Sequence, residues 1–68
     1  MNKGVCSKIK NLRIEKSFSQ EIVAEKLNIS QSSYSKKENG QQKFSLHEIQ
    51  TISVIFKTPL FTLLQEFD

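Results

Sequence analysis

Apolar residues recur along this chain at intervals of three and four, which is the spacing of one face of an α-helix. The first such segment carries Val5, Ile9 and Leu12. The second runs from Gln20 to Leu27 and follows Ser19, a residue type that favours helix N-caps. No strand-like alternation, internal repeat or long linker separates the helical segments. The pattern predicts an all-α fold.

A sharp turn joins the second predicted helix to a third. Asn28 lies where the chain needs a left-handed backbone, which asparagine tolerates better than most residues. Ser30 then caps a helix from Gln31 to Glu38, and Asn39 and Gly40 end it.

Two more helices complete the predicted bundle. Ser45 and Glu48 have the spacing of a capping box at the start of a fourth helix. This helix is expected to bury Leu46, Ile49, Ile52 and Ile55 or Phe56. Thr58 followed by Pro59 predicts a cap and a proline at the first position of a fifth helix. The apolar residues of that helix are Leu60, Leu63, Leu64 and Phe67. The chain therefore predicts a compact five-helix bundle in one domain, residues 1–68.

The size and composition of the chain limit how it is stabilised. A domain of 68 residues buries only about 60% of its unfolded surface, so its stability is marginal. The lone cysteine, Cys6, excludes an internal disulfide and is expected to fill the core, and no Cys/His set has zinc-site spacing. We expect no metal and no cofactor, which leaves self-association as the remaining stabilising device.

Hydropathy and charge indicate location and partners. The longest apolar run, residues 54–56, is far below the roughly 20 residues of a membrane span, and the N-terminus lacks the apolar block of a signal sequence. We therefore expect a soluble cytoplasmic protein. Residues 1–44 hold nine Lys and Arg against four Glu, whereas residues 45–68 hold one Lys against three acidic residues. The basic part contains the second and third helices and suits a polyanion.

The third predicted helix is unusually polar. Tyr34 is its one large apolar residue, whereas a half-buried helix has about three or four per two turns. We expect Tyr34 to anchor the helix, with its hydroxyl as a candidate for a phosphate contact. One interpretation is a solvated surface helix. The other is a helix that contacts DNA bases, since glutamine pairs with adenine, lysine with guanine and serine with several partners. The residues on the outward face are Gln31, Ser32, Ser35 and Lys36.

An ordered set of residues across nearly the whole chain resembles the phage-repressor-like (Cro-type) helix-turn-helix family, which includes lambda repressor. The matching residues are Leu12, Arg13, Ser19, Gln20, Ala24, Leu27, Ile29, Ser30, Glu38, Asn39 and Gly40. The resemblance implies a bacterial or phage-type transcription regulator that places a recognition helix, about residues 31–38, in the major groove of double-stranded DNA. It also implies a homodimer on a two-fold operator.

The resemblance further implies a role for individual residues. The base-reading positions are Gln31, Ser32, Ser35 and Lys36. The phosphate-contacting positions are Gln20, at a helix N-terminus, and Asn39 and Lys43, in the loop after the recognition helix. Arg13 and Glu38 correspond to a structural ion pair, so we expect Arg13 to hold the scaffold rather than to contact DNA.

Three residues depart from the family pattern. Asn28 replaces the turn glycine. Ile22 stands where the family is usually polar, so it either widens the core face or is exposed. Lys37 stands where the family has an apolar residue. We expect its stem to cover the core and its ammonium to reach a phosphate, since otherwise that corner is underpacked.

The C-terminal third bears on protein partners. Phe56, Phe61, Leu64 and Phe67 either complete the core or form a dimer interface. We expect a homodimer through helix 5 and the end of helix 4. The alternative is an antitoxin-like protein-interaction module whose apolar C-terminal face binds another protein, with DNA binding secondary. An enzyme is not expected, because the sequence shows no nucleophile with a base, phosphate loop or carboxylate pair suited to a pocket.

Overall fold

Five α-helices make up residues 3–64, the part of the chain that the computed structural model describes. They are α1 (Lys3–Glu15), α2 (Gln20–Leu27), α3 (Gln31–Glu38), α4 (Leu46–Ile55) and α5 (Leu60–Leu64). Helix α2 packs against α3 and α4, α1 packs against α3 and α5, and α4 packs against α5. No strand occurs within residues 3–64, which confirms the predicted all-α class.

Serine side chains begin three of these helices, as predicted. The Ser19 and Ser30 hydroxyl oxygens each accept a hydrogen bond from the amide three residues ahead, at 3.1 and 3.0 Å. The Ser45 hydroxyl oxygen accepts from the Glu48 amide at 3.0 Å, and Glu48 Oε1 accepts from the Ser45 amide at 2.8 Å. This reciprocal pair is a complete capping box.

Helices α1 to α4 end in the same backbone motif, in which the chain turns through a left-handed residue and two amides donate back to the last turn. The left-handed residues are Ser17, Asn28, Gly40 and Lys57, with φ of 64°, 62°, 85° and 52°. At the end of α2, the Ile29 amide donates to the Ala24 carbonyl at 3.0 Å. The turn at Asn28 and the stop at Gly40 agree with the sequence prediction. Serine and lysine carry no comparable signal, so the other two turns were not predicted.

The core combines side chains from all five helices and from the loop before α4. Its buried members are Val5, Cys6, Ile9, Val23, Ala24, Tyr34, Phe44, Ile49, Ile52, Phe56 and Leu63. The Phe18 and Phe56 ring centroids lie 5.5 Å apart. Cys6 fills the core as expected, and Phe56 belongs to the core rather than to an exposed interface.

The predicted burial of Leu46 is wrong. Its side chain is 58% exposed, because the Ser45 cap places it at the first position of α4, where it faces away from the core. Phe44, on the other side of the cap, is buried instead. Phe44 and Ile49 occupy the two positions of a hydrophobic staple, and both belong to the core cluster.

The predicted start of helix 5 is shifted by one residue. The Pro59 carbonyl accepts from the Thr62 amide at 2.9 Å, so Pro59 is the N-cap rather than the first helical residue. The Thr58 hydroxyl donates to the Phe56 carbonyl at 3.1 Å instead of capping the helix. Leu63 is buried as expected, and Phe67 lies outside the described residues.

Candidate nucleic-acid interface

Helix α3 fully buries two of its side chains and leaves much of its remaining surface accessible. The buried residues are Tyr34 and Glu38, which lie one turn apart. The side chains of Gln31, Ser32 and Lys36 are exposed, and Ser35 is half-buried. The structure therefore brings the four predicted base-reading residues together on one short helix whose outward face makes few internal contacts.

The Glu38 carboxylate is the point where α1, α2 and α3 meet. Its Oε2 accepts hydrogen bonds from Arg13 Nε and from the Tyr34 hydroxyl, both at 2.7 Å. Its Oε1 accepts from Gln20 Nε2 at 2.8 Å and from Arg13 Nη2 at 3.2 Å. These donors occupy the approximately four acceptor sites of a carboxylate, so one buried residue connects all three helices.

Hydrogen bonds keep this buried carboxylate ionised. Burial by itself raises the pKa of Glu38, because a desolvated carboxyl group prefers to be neutral. The hydrogen bonds from Arg13, Gln20 and Tyr34 outweigh burial and hold the pKa of Glu38 below its ordinary value of 4.5. The hydrogen bond to Glu38 raises the pKa of Arg13. Burial, followed by the hydrogen bond to Glu38, raises the pKa of Tyr34. At neutral pH the cluster is an ion pair supported by a neutral phenol and a neutral amide.

Arg13 also positions the chain at the entry to α2. Its Nη1 donates to the Phe18 carbonyl at 2.8 Å, one residue before the Ser19 cap. The Arg13 side chain is only 12% exposed. Its guanidinium is thus directed into the protein, which fits the scaffold role expected from the sequence.

Two side chains considered for phosphate contacts point toward Glu38. The Tyr34 hydroxyl is buried and donates to Glu38, so the alternative phosphate role for that hydroxyl is wrong. Gln20 uses one Nε2 hydrogen on Glu38, which leaves its second Nε2 hydrogen for an acceptor such as phosphate. The contact between Gln20 and Glu38 was missed from sequence. A buried carboxylate has about four acceptor sites, which is more than Arg13 alone fills. The unfilled acceptor sites of Glu38 were the feature from which a further donor could have been predicted.

The loop between α3 and α4 carries the other two predicted phosphate-contacting residues. Asn39 and Lys43 are both exposed. The loop begins at Asn39, and the amides of residues 41 and 42 donate to the Lys36 carbonyl at 2.8 and 3.2 Å. The loop therefore folds back at the C-terminal end of α3.

Lys37 closes this loop instead of reaching outward. Its Nζ donates to the Lys43 carbonyl at 3.1 Å and lies 3.3 Å from Glu48 Oε1. The side chain is 15% exposed, so its stem does cover the corner between α3 and α4, as expected. The ammonium contacts partners within the protein in this structure, and its expected contact with phosphate stays a prediction.

Helices α2 and α3, joined by residues 28–30, have the arrangement of a helix-turn-helix with an exposed second helix. A family model described as helix-turn-helix matches residues 9–63. Because this match covers most of the chain, the protein belongs to the phage-repressor-like helix-turn-helix family. It is a regulator of transcription that binds double-stranded DNA, in a family of regulators rather than enzymes. No curated protein and no solved structure matches the chain.

Two further findings concern other kinds of site within residues 3–64. No group of His, Cys, Asp and Glu in this range is arranged to hold a metal ion. No helix in this range is both long enough and apolar enough to cross a membrane.

Proposed function

We propose that this chain is a single-domain regulator, residues 1–68, of bacterial or phage type that binds a two-fold operator as a homodimer in the cytoplasm. The observation that carries the proposal is the asymmetry of α3. Tyr34 and Glu38 are buried on one side, whereas the polar side chains of Gln31, Ser32 and Lys36 are exposed on the other. The major groove presents a distinct pattern of donors and acceptors for each base pair, and such a helix face is suited to read it.

The proposed base contacts come from both turns of α3. Residues near the N-terminus of a recognition helix face the base edges, so we assign Gln31 and Ser32 to base contacts. Gln31 is suited to adenine N6 and N7, and Lys36 to guanine O6 and N7. Ser35 is half-buried, so we assign it a secondary role next to Lys36.

The proposed phosphate contacts lie near the C-terminal end of α3. Gln20 is the first residue of α2, where unpaired amides and the helix dipole favour an anion, and its second Nε2 hydrogen is available there. Asn39 and Lys43 are exposed in the loop after α3, at the same end of that helix as Glu38, the partner of Gln20. Phosphates held at the C-terminal end of α3 would orient the helix in the groove without adding sequence preference.

The proposed dimer forms through the C-terminal apolar surface, which we define as Val54, Phe61 and Leu64. These side chains are 74%, 72% and 42% exposed, although all three are large and apolar. The described part of the molecule is 29 Å in its longest dimension, shorter than the about 34–36 Å between half-site centres. One molecule therefore spans one half-site, and a symmetric operator requires two.

Selection of bound sites from random duplex DNA tests the proposal. We expect enrichment of inverted half-sites whose centres lie about 10–10.5 base pairs apart. Affinity for the selected duplex should fall with salt along a log–log slope that corresponds to several displaced counterions. Sedimentation at micromolar concentration should show a dimer that Phe61→Ser converts to monomer. Failure to enrich any site would refute sequence-specific binding, and a wild-type monomer would refute the dimer.

The exposure of Phe61 also favours a second candidate, an antitoxin-like module that covers this surface with another protein. In that case DNA binding is weak and secondary. A tight complex with a partner protein, together with a flat salt response on DNA, would favour this candidate over the dimeric regulator.

A further inference from the structure

The ion pair of Lys37 and Glu48 hydrogen-bonds to the backbone on both sides of Phe44. Lys37 Nζ donates to the Lys43 carbonyl at 3.1 Å, and Glu48 Oε1 accepts from the Ser45 amide at 2.8 Å. The two side chains meet each other at 3.3 Å, and Phe44 between them is buried. We call Lys37 and Glu48 the loop clamp. It fastens the end of the loop that carries Lys43 to both α3 and α4.

An apolar side chain at position 37 would cover the same corner but would not perform this task. A lysine loses much side-chain freedom when it is held, so a lysine used only as filler is a poor choice. Its ammonium supplies what a hydrocarbon lacks: a donor for the Lys43 carbonyl and a positive charge for Glu48. The clamp therefore acts on the backbone of one specific exposed residue, Lys43.

We propose that Lys37 and Glu48 are positioning residues for DNA binding, which hold the backbone at Lys43 so that its side chain meets a phosphate beside α3. The inference rests on the proposed DNA-binding role of Lys43. A loop that is ordered before binding has less conformational freedom to lose on the DNA, which improves affinity. The clamp acts through Lys43 and makes no contact with the bases, so it strengthens binding to all sequences alike.

The charges of the clamp allow a clean test. The double variant Lys37→Met/Glu48→Gln removes one charge of each sign, so the net charge of +3 is unchanged. Any loss of affinity in this variant cannot come from weaker overall attraction to DNA. The methionine keeps an apolar stem, and the glutamine oxygen still accepts from the Ser45 amide, so the fold is expected to survive.

The experiment measures binding of the selected duplex and of a random duplex by fluorescence anisotropy as salt is varied. We expect the double variant to bind both duplexes about 3–10-fold more weakly, with a log–log salt slope smaller by about 1. Adding Lys43→Ala should cost little more in this background, although it weakens the wild type. The single variant Lys37→Arg keeps a hydrogen-bond donor and the positive charge at position 37. It should therefore retain most of the DNA affinity of the wild type.

Two outcomes would refute the proposed role of the loop clamp in DNA binding. One is a loss from Lys43→Ala that is equally large in the wild-type and double-variant backgrounds. The other is tighter binding by Glu48→Gln together with weaker binding by Lys37→Met, because a direct contact of Lys37 with DNA predicts that pattern. If circular dichroism shows that the double variant is unfolded, the single variant Glu48→Gln is used instead. Tighter DNA binding by this variant would refute the clamp. Weaker binding would support the clamp, because the variant binds less well although its net charge is more positive.

A measurement without DNA separates failure of the clamp from failure of the proposed function. The NMR order parameter of the Lys43 backbone amide should be lower in Lys37→Met/Glu48→Gln than in the wild type, because the variant loses the contact of Lys37 with the Lys43 carbonyl. An unchanged order parameter would refute the clamp even if DNA binding is established. Absence of salt-dependent DNA binding by the wild type would instead refute the proposed function, and with it the role of the clamp on DNA.

Discussion

Replacing Glu38 with glutamine tests whether one carboxylate holds three helices together. The substitution keeps the size of the side chain, but its NH2 group must face donors that now lie 2.7–3.2 Å from a carboxylate oxygen. It also leaves the Arg13 guanidinium without its charge partner. Removing one partner of a buried pair costs about 3–5 kcal/mol. The Glu38 side chain is fully buried, but Arg13 is 12% exposed and regains some water, so we expect the lower end, about 3 kcal/mol.

That loss is large for this chain. A protein of 68 residues has a free energy of unfolding of roughly 3–10 kcal/mol, so Glu38→Gln should remove about 30% of it or more. The melting temperature should fall by about 12–24 °C, at about 4–8 °C per kcal/mol. Thermal denaturation followed by circular dichroism at neutral pH measures the change.

Glu48→Gln is the matched control for this experiment. It makes the same chemical change in an ion pair whose two side chains are both 15% exposed, where we expect a loss of no more than about 1 kcal/mol. If Glu38→Gln lowered the melting temperature no more than Glu48→Gln does, the Glu38 network would not hold the helices together.

Three other predictions concern Glu38 at low pH, the turn at Ser17, and the proposed DNA contacts of Gln31 and Lys43. Because the pKa of Glu38 is below 4.5 in the folded protein, its stabilising effect is complete near neutral pH and is lost as the pH falls below that value, where the unfolded chain takes up the proton first. The difference in free energy of unfolding between wild type and Glu38→Gln, measured with urea, should therefore shrink toward about pH 3, and a constant difference would contradict this. Ser17→Gly should stabilise the protein by about 0.5–1 kcal/mol, since its φ of 64° costs a non-glycine residue about 1–2 kcal/mol and the freedom of glycine when unfolded offsets part of the gain. A lower melting temperature would show that the turn is not strained. Gln31→Ala should weaken binding to the selected operator by about 1–3 kcal/mol and leave random DNA nearly unaffected, whereas Lys43→Ala should weaken both. If Gln31→Ala lost equal affinity for the two duplexes, the result would contradict a base-reading role of Gln31.

The bounds of α2 and α3 were predictable because helix ends depend on local chemistry. Ser19 and Ser30 supply hydroxyl groups to amides three residues away, and Asn28 accepts a left-handed backbone without a glycine. None of these interactions requires knowledge of the tertiary fold. The face of α3 was predictable for a similar reason, since a helix with one large apolar residue must expose most of its surface.

Contacts that depend on the path of the chain were not predictable from spacing. Lys37 meets Glu48 because the loop after α3 folds back, and nothing in the periodicity distinguishes Glu48 from the other acidic residues. Gln20 turns toward Glu38 because the carboxylate has acceptor sites left after Arg13 binds. Leu46 shows that the burial of an apolar residue also cannot be predicted from spacing alone. Leu46 matches the helical repeat, but the adjacent Ser45 cap directs its side chain away from the core.

The arrangement around Glu38 separates the residues that hold α3 in the fold from the residues that we propose to contact DNA bases. The contacts that hold α3 in place come from Tyr34, Lys37 and Glu38, whereas Gln31, Ser32 and Lys36 are exposed side chains. Exchanging these three residues alters the chemistry presented to the groove and removes no described contact of the core. Under the proposed function, a lineage that carries this domain would therefore acquire a new DNA sequence preference through surface changes that are nearly neutral for folding.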